Sequence, residues 1–265
     1  MPNHETCLKT FRDELPIPLP SGTKRNAAFE FSSAAAYFDQ KADSERTATH
    51  FDCVCEIAAG PLYKRAFERW KQLWEQAEAA GDARTMPLPV TQRLLIGLSN
   101  SALWETSITM NPTYGVPILP GSALKGLARH FAESHLCPPD ADDLSWPAVY
   151  KALFGHAGDS GAVEFHDAWW VSESAPQAYG KDRPFVREVV TPHHKAFLDK
   201  RGGVPATPFD NPTPIPQLAT HGEFLVVAAG SPVWAAHALD ILRLALEVEG
   251  IGARTPEYGR MGPAA

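Results

Sequence analysis

Four places in this 265-residue chain hold residue types that can do chemistry. The first is 115–129, GVPILPGSALKGLAR. Gly121 lets the backbone approach a ligand closely just before a helix. The first N–H groups of a helix lack intrahelical partners and favour an anion. Ser122 adds a hydroxyl, and Lys125 and Arg129 follow one turn apart on one face. No acidic residue occurs from Tyr114 to His130. These residues suit the phosphate backbone of a nucleic acid. They suit equally an ordinary helix capped by Ser122, with solvated cations. The GxxxxGK[ST] pattern of a nucleotide P-loop is absent. The second place is 250–262, GIGARTPEYGRMG. Gly252 permits close backbone approach, Arg254 and Arg260 can pair with phosphates, and Tyr258 can stack on a base. The plain alternative is a C-terminal turn. The third is the histidine supply, ten in all. His166–Asp167 and His193–His194 are the best candidates for a general acid and base in metal-independent RNA cleavage. Against this, adjacent side chains on a strand point to opposite faces, and no HxxxH, HExxH or paired-carboxylate pattern appears. The fourth is Cys53 and Cys55, one residue apart. Zinc sites usually place about two to four residues between ligands, and no second pair follows. The pair therefore reads as two cysteines of a strand, and no metal or cofactor is expected.

Composition limits the field. The chain is 44% apolar and 21% charged, enough for one domain with a sizeable core and too little charge for a disordered polyelectrolyte. No apolar run approaches the ~20 residues that span a bilayer, so no membrane is expected. The first residues lack the apolar region of a secretory signal. With four cysteines there is no disulfide scaffold, and a cytoplasmic location is the simplest expectation. The net charge of −7 argues at first against a polyanionic partner. Its distribution argues otherwise. Residues 133–180 hold eight carboxylates and one cation, Lys151, which accounts for the whole excess. Residues 183–203 hold five cations against Glu188 and Asp199.

The elements that must position these residues follow from periodicity. Leu62, Phe67, Trp70, Leu73 and Trp74 recur at helical spacing over 61–80, and their aromatic rings suit a core or a subunit interface. A weak alternation over 51–58 predicts a short strand. Residues 91–98 and 103–109 read as strands, 122–136 as the helix begun at Ser122, and 145–154 as a second helical patch. Residues 161–171 and 222–230 read as strands, and 233–249 as a helix. Between them, 172–221 is a long proline-rich insertion, far beyond ordinary loop length. The order has the βαββαβ rhythm of a ferredoxin-like domain, with its last strand very short or absent.

Several stretches resemble a known family. LLIGLSNSALWETSITMNPTYGVPILPGSALKG (94–126), ALFGHAGDSGAVEFHDA (152–168), VTPHHKAF (190–197), NPTPIPQL (211–218) and GIGARTPEYGRMG (250–262) are similar to motifs of the repeat-associated mysterious proteins, or RAMPs. These are RNA-binding subunits of CRISPR effectors, and the likeness is to a subunit of the type III-B (Cmr) complex. It covers roughly 90–262. It implies an α+β, ferredoxin-like (RRM-like) RAMP domain over 86–265, with the 172–221 insertion and with 1–85 as an N-terminal extension carrying one amphipathic helix. It implies a non-catalytic subunit in antiviral defence that caps the effector filament near the 3′ part of the guide RNA. The implied partners are guide RNA, target RNA, the backbone RAMP subunits and the neighbouring 3′-end RAMP subunit. Carried over residue by residue, Gly121, Ser122, Lys125 and Arg129 would face guide phosphates, and Gly252, Arg254, Tyr258 and Arg260 would close the same site. The insertion would supply a thumb-like hairpin, with His193 and His194 placed either on RNA or in subunit packing. The competing expectation is a RAMP-fold endoribonuclease that trims guide precursors. The acidic 133–180 segment would face protein rather than RNA.

Overall fold

A computed structural model describes residues 25–33, 44–98, 106–136, 145–191, 207, 214–254 and 257–262. Three helices come first: α1 (Ala27–Ser33), α2 (Ser44–Cys55) and α3 (Pro61–Ala80). In α3, proline fills the first turn, where its missing N–H costs nothing, and the helix closes at Gly81. Tyr63, Ala66 and Phe67 face inward. β1 (Ala83–Pro89) follows, then a short pair, β2 (Met110–Asn111) and β3 (Val116–Leu119). Helix α4 (Gly121–Phe131) ends in a wide π-type turn, Ala132–Leu136. After α5 (Ser145–Phe154) come β4 (Glu164–Phe165) and β5 (Ala168–Trp170), then β6 (Phe185–Val190), β7 (Ile215–Thr220), β8 (Glu223–Ala229) and α6 (Pro232–Val248).

The main sheet is antiparallel, in the order β1-β8-β5-β3-β2, with β4 also on β8. β8 is its centre. Its residues Phe224 to Ala228 are all buried, which explains why it reads as a continuous apolar run rather than an alternating one. The partners of β8 shift along β4 and β5: Phe165 faces Ala228, but Trp169 faces Leu225. Four steps on one strand oppose three on the other, so a β-bulge falls at His166–Asp167. β6 and β7 form a separate two-stranded ribbon inside the insertion.

Helix α3 covers the sheet through aromatic rings. Trp70 stacks on Trp169 with centroids 5.1 Å apart and planes 8° from parallel. Tyr63 stacks on the same indole at 6.0 Å, and its hydroxyl donates to the carbonyl of Trp170. On α4, Leu124, Leu127, Ala128 and Phe131 form the inward stripe, and the helix packs beside α6. No helix among the described residues is long and apolar enough to cross a membrane.

Several expectations change. The alternation over 51–58 is the end of helix α2, not a strand. Phe51 and Val54 are both fully buried and three residues apart, so the stripe follows helical period. Cys53 and Cys55 are free thiols on that helix, and burial pushes the Cys55 thiol up to about 12, which keeps it protonated. Among the described residues, three helices precede residue 83, and β1 spans Ala83–Pro89. Residues 91–98 form only isolated bridges, although Leu94, Leu95 and Ile96 are buried as a core strand would be. Ser122 does not cap α4: the N-cap position belongs to Pro120, and no side chain bonds there as a cap.

Candidate nucleic-acid interface

The start of α4 is built against the bulge. The Gly121 N–H donates to a carboxylate oxygen of Asp167 at 2.8 Å. The helix N-terminus thus already holds an anion, and that anion is the protein's own. A Cβ on Gly121 would lie 2.2 Å from the Phe165 carbonyl oxygen, so glycine is needed here for the close approach of helix to strand. The neighbouring His166 turns elsewhere. Its ring lies 4.4 Å from that of Trp74, centroid to centroid, and its Nε2 is buried without a hydrogen bond. His166 and Asp167 are therefore split between two packing duties.

α4 leaves the side chains of Ser122, Ala123, Arg129 and His130 exposed, with Lys125 half-buried. Lys125 makes no ion pair among the described residues. The Arg129 guanidinium donates to the Tyr150 hydroxyl at 2.7 Å and lies over that ring at 5.5 Å. Tyr150 in turn donates to Glu133 at 3.3 Å. This hydrogen bond from Arg129 to Tyr150 holds the guanidinium charged more firmly than usual. A planar cation backed by a ring is pre-organised for a phosphate or a base.

The glycine-rich tail is stitched to the chain after β1. Ala253 N–H donates to the Leu95 carbonyl at 2.9 Å, Gly259 N–H to the Arg93 carbonyl at 2.9 Å, and Gly262 N–H to the Pro89 carbonyl at 3.0 Å. Gly252 has φ +78°, and a Cβ there would sit 2.1 Å from the Leu95 oxygen. Both its conformation and its contact demand glycine. The Arg260 guanidinium donates to the Glu247 carbonyl at 2.9 Å, where it satisfies the C-terminus of α6. Arg254 is exposed and pairs with Glu249 at 3.3 Å, a residue that also meets His135 at 3.5 Å. The two expected groups are thus held at separate anchors. Arg129 is tied to α5 and Arg254 to the end of α6, and no described contact joins them.

Sequence reasoning misses a node centred on Arg93. Its Nε donates to Glu188 of β6 at 2.8 Å, one terminal nitrogen to Nδ1 of His221 at 3.0 Å, and the other to the Tyr179 hydroxyl at 2.9 Å. Since arginine only donates, His221 accepts at Nδ1 and donates from Nε2 to the Arg183 carbonyl at 2.8 Å. That is its neutral tautomer. Burial lowers the pKa of His221, and the charge of Arg93 lowers it further. Tyr258 bridges to Arg93 through the backbone. Its phenol is pushed up by burial first, then by Glu188 and Glu257. Of these groups Arg93 and His221 border a cleft of about 660 Å³ whose lining also includes Pro89, Thr91, Pro176 and Glu257. Its residues come from four distant stretches, and no local motif signals it.

The basic insertion is also less available than its charge suggests. Arg187 pairs with Asp52 at 2.6 Å and Arg183 with Glu56 at 2.7 Å, both on or just after α2. Lys64 of α3 reaches Glu173 and Asp182 at 2.7 and 2.9 Å. His193 and His194, expected in the thumb-like hairpin, lie outside the described residues, as do Asp140, Asp142 and Asp143 of the acidic segment.

The described residues thus form an antiparallel sheet packed with helices, with a glycine-cornered helix start and a glycine-rich tail bonded back to residues 89–95. The family model of the RAMP superfamily matches residues 88–259, and the chain belongs to that superfamily. Among its relatives, the CRISPR system Cmr subunit Cmr6 of Pyrococcus furiosus is 25% identical over 255 residues, covering 76% of this chain and 72% of the relative. The Cmr6 subunit of Saccharolobus solfataricus is 30% identical over 105 residues, 38% of this chain and 31% of that one. Among solved structures, a chain of the type III-B Cmr-beta complex bound to cognate target RNA is similar, with TM-score 0.59 and 21% identity. The likeness covers 83% of this chain and 70% of that chain, and is one of fold.

Proposed function

We propose that this chain is a Cmr6-type subunit of a type III-B CRISPR effector: a non-catalytic, cytoplasmic RNA-binding protein that caps the filament near the 3′ part of the guide. The observation that carries this reading is the likeness to Cmr6 across three quarters of both chains, together with the family match over 88–259. In this reading the sheet and its helices form a ferredoxin-like core, 1–85 is an added extension, and the ribbon of the insertion is the thumb. Guide phosphates meet Ser122, Lys125 and Arg129 from one side and Arg254 and Tyr258 from the tail. Gly121, Gly252 and Arg260 hold those segments in place. His193 and His194 extend the contact along the thumb. Base pairing reads the target, and the protein holds backbone and shape. Backbone RAMP subunits and a neighbouring 3′-end subunit complete the site.

The test is guide protection in the reconstituted complex. Replacing Lys125, Arg129 and Arg254 with alanine is expected to expose the guide 3′ end to nuclease. A triple variant that assembles and protects like wild type refutes the phosphate site. The division of His166 and Asp167 between Trp74 and Gly121 supports a non-catalytic role. Metal-independent cutting of labelled repeat RNA by the pure protein, lost in His193→Ala or His194→Ala, would instead favour the endoribonuclease.

A further inference from the structure

We infer that Gly126 is the seat of one ribose of the bound RNA, a notch on the solvent side of α4 that admits an RNA backbone in preference to DNA. This deepens the RNA-binding reading and rests on it. Leu124, Leu127, Ala128 and Phe131 mark the core side of α4. At about 100° per residue, Ser122, Gly126 and Arg129 fall on the opposite side, with Lys125 beside them. Gly126 is exposed and stands in the middle of the helix. A Cβ there would meet nothing within 4 Å, whereas one at Gly121 or Gly252 would strike the protein's own backbone. The fold therefore has no packing need for this glycine, and a glycine inside a helix is less stable there than alanine. What the missing side chain leaves is bare helix backbone, whose carbonyls have a second lone pair beyond the helical bond. The surroundings name the occupant. Lys125 makes no ion pair among the described residues. Arg129 is held at Tyr150 through its Nε, and its terminal nitrogens have no partner among the described residues. These two side chains start about 5–6 Å apart on one face and suit phosphates of a single strand. The notch beside them offers acceptors, so it calls for a donor. The 2′-hydroxyl is the donor that a ribose brings and a deoxyribose lacks. Ser122, one turn earlier, carries a hydroxyl with no partner among the described residues, which can meet the same group. The face holds positive charge, and no carboxylate occurs from Tyr114 to His130, which favours a polyanion over a protein helix.

The experiment measures, by fluorescence anisotropy, binding of single-stranded RNA and DNA of one sequence to the full chain, alone and in the reconstituted complex. Thermal melting is followed in parallel. Wild type is expected to prefer RNA several-fold. Gly126→Ala and Gly126→Leu place better helix formers in open space, and each is expected to raise the melting temperature by about 2–4 °C. Both are nonetheless expected to weaken RNA, alanine several-fold and leucine by roughly tenfold, and leucine is expected to bind RNA and DNA alike. Stability and binding thus move in opposite directions, which a folding defect cannot produce. Lys125→Ala with Arg129→Ala is expected to weaken RNA and DNA equally, since phosphates carry no sugar identity. Should Gly126→Leu fail to fold, Gly126→Ala decides alone. Glycine variants that bind RNA like wild type, while the lysine–arginine variant loses it, overturn the notch and leave the RNA-binding reading standing. Glycine variants that keep RNA binding as pure protein but no longer enter the complex make this face a protein contact and overturn the notch as well. Absence of RNA binding by wild type, alone and in the complex, overturns both.

Discussion

At the residue scale, one glycine and one carboxylate settle where α4 begins. Gly121→Ala would force a methyl group against the Phe165 carbonyl. Overpacking of this kind costs about 1–3 kcal/mol, so the urea midpoint is expected to fall with an unchanged slope. Asp167→Asn keeps the shape and removes the charge, and is expected to cost about 1 kcal/mol. The two changes meet at one contact and are expected to be non-additive in a double-variant cycle. Titration gives a further prediction. The pKa values of His221 and His50 are both lowered from 6.5, chiefly by burial. Above 6.5 both are neutral, folded or unfolded, and stability is level. As pH falls below 6.5 the unfolded chain takes up protons that the folded one refuses, so stability is lost on acidification. Denaturation curves between neutral and mildly acidic pH are expected to show this slope, and His221→Gln to flatten part of it.

At the scale of elements, the ribbon packs against α2 and is tied to it by two ion pairs. Asp52 and Glu56 are more than half exposed, and exposed pairs contribute about 0–1 kcal/mol each. Asp52→Asn with Glu56→Gln is therefore expected to leave the global transition nearly unmoved. Amide exchange within 185–190 and 215–220 is expected to quicken, which hydrogen exchange with mass spectrometry reads directly. Which elements the sequence announces follows the same physics. Helices α3 and α6 and strand β8 are legible because each has a long regular stripe or an unbroken apolar run. β1, ARTMPLP, is not: two prolines interrupt it, and it lies at the sheet edge, where the missing N–H groups are tolerated. Helix α2 looks like a strand when only its last residues, FDCVC, are read, since a short window alternates by chance. Residues 91–98 look like a strand and are buried like one, yet their bonds go to the tail and to Thr220, partners that no local pattern names.

At the scale of the whole molecule, net charge misleads in both directions. The −7 total hides the exposed face of α4, and the local basic excess of the insertion overstates what is free to meet RNA. Arg183 and Arg187 are consumed internally, as are Asp167 and Glu173 of the acidic segment. If Lys125, Arg129 and Arg254 are the phosphate contacts, single-stranded RNA binding should lose affinity with salt gently. The expected slope is about −0.7 per contact, near −2 in all, approaching zero in the triple variant. The candidate residues Lys125, Arg129 and Arg254 stand out in the sequence by type and spacing, but their separate anchoring and the Arg93 cleft do not, because both depend on contacts between distant stretches.

The tail also sets a timetable. The end of β1 and the chain after it are joined to the tail by bonds from residues 253, 259 and 262 to 95, 93 and 89, across about 160 residues. Contacts so distant in sequence form late and slow the search for the native state. During synthesis, the buried Leu94–Ile96 segment must wait for nearly all that follows to emerge. Until then its apolar side chains and unpaired backbone stand open to other chains. Refolding is expected to be slow and concentration-sensitive, and removal of residues 250–262 to yield a chain that aggregates rather than one that merely binds RNA less well.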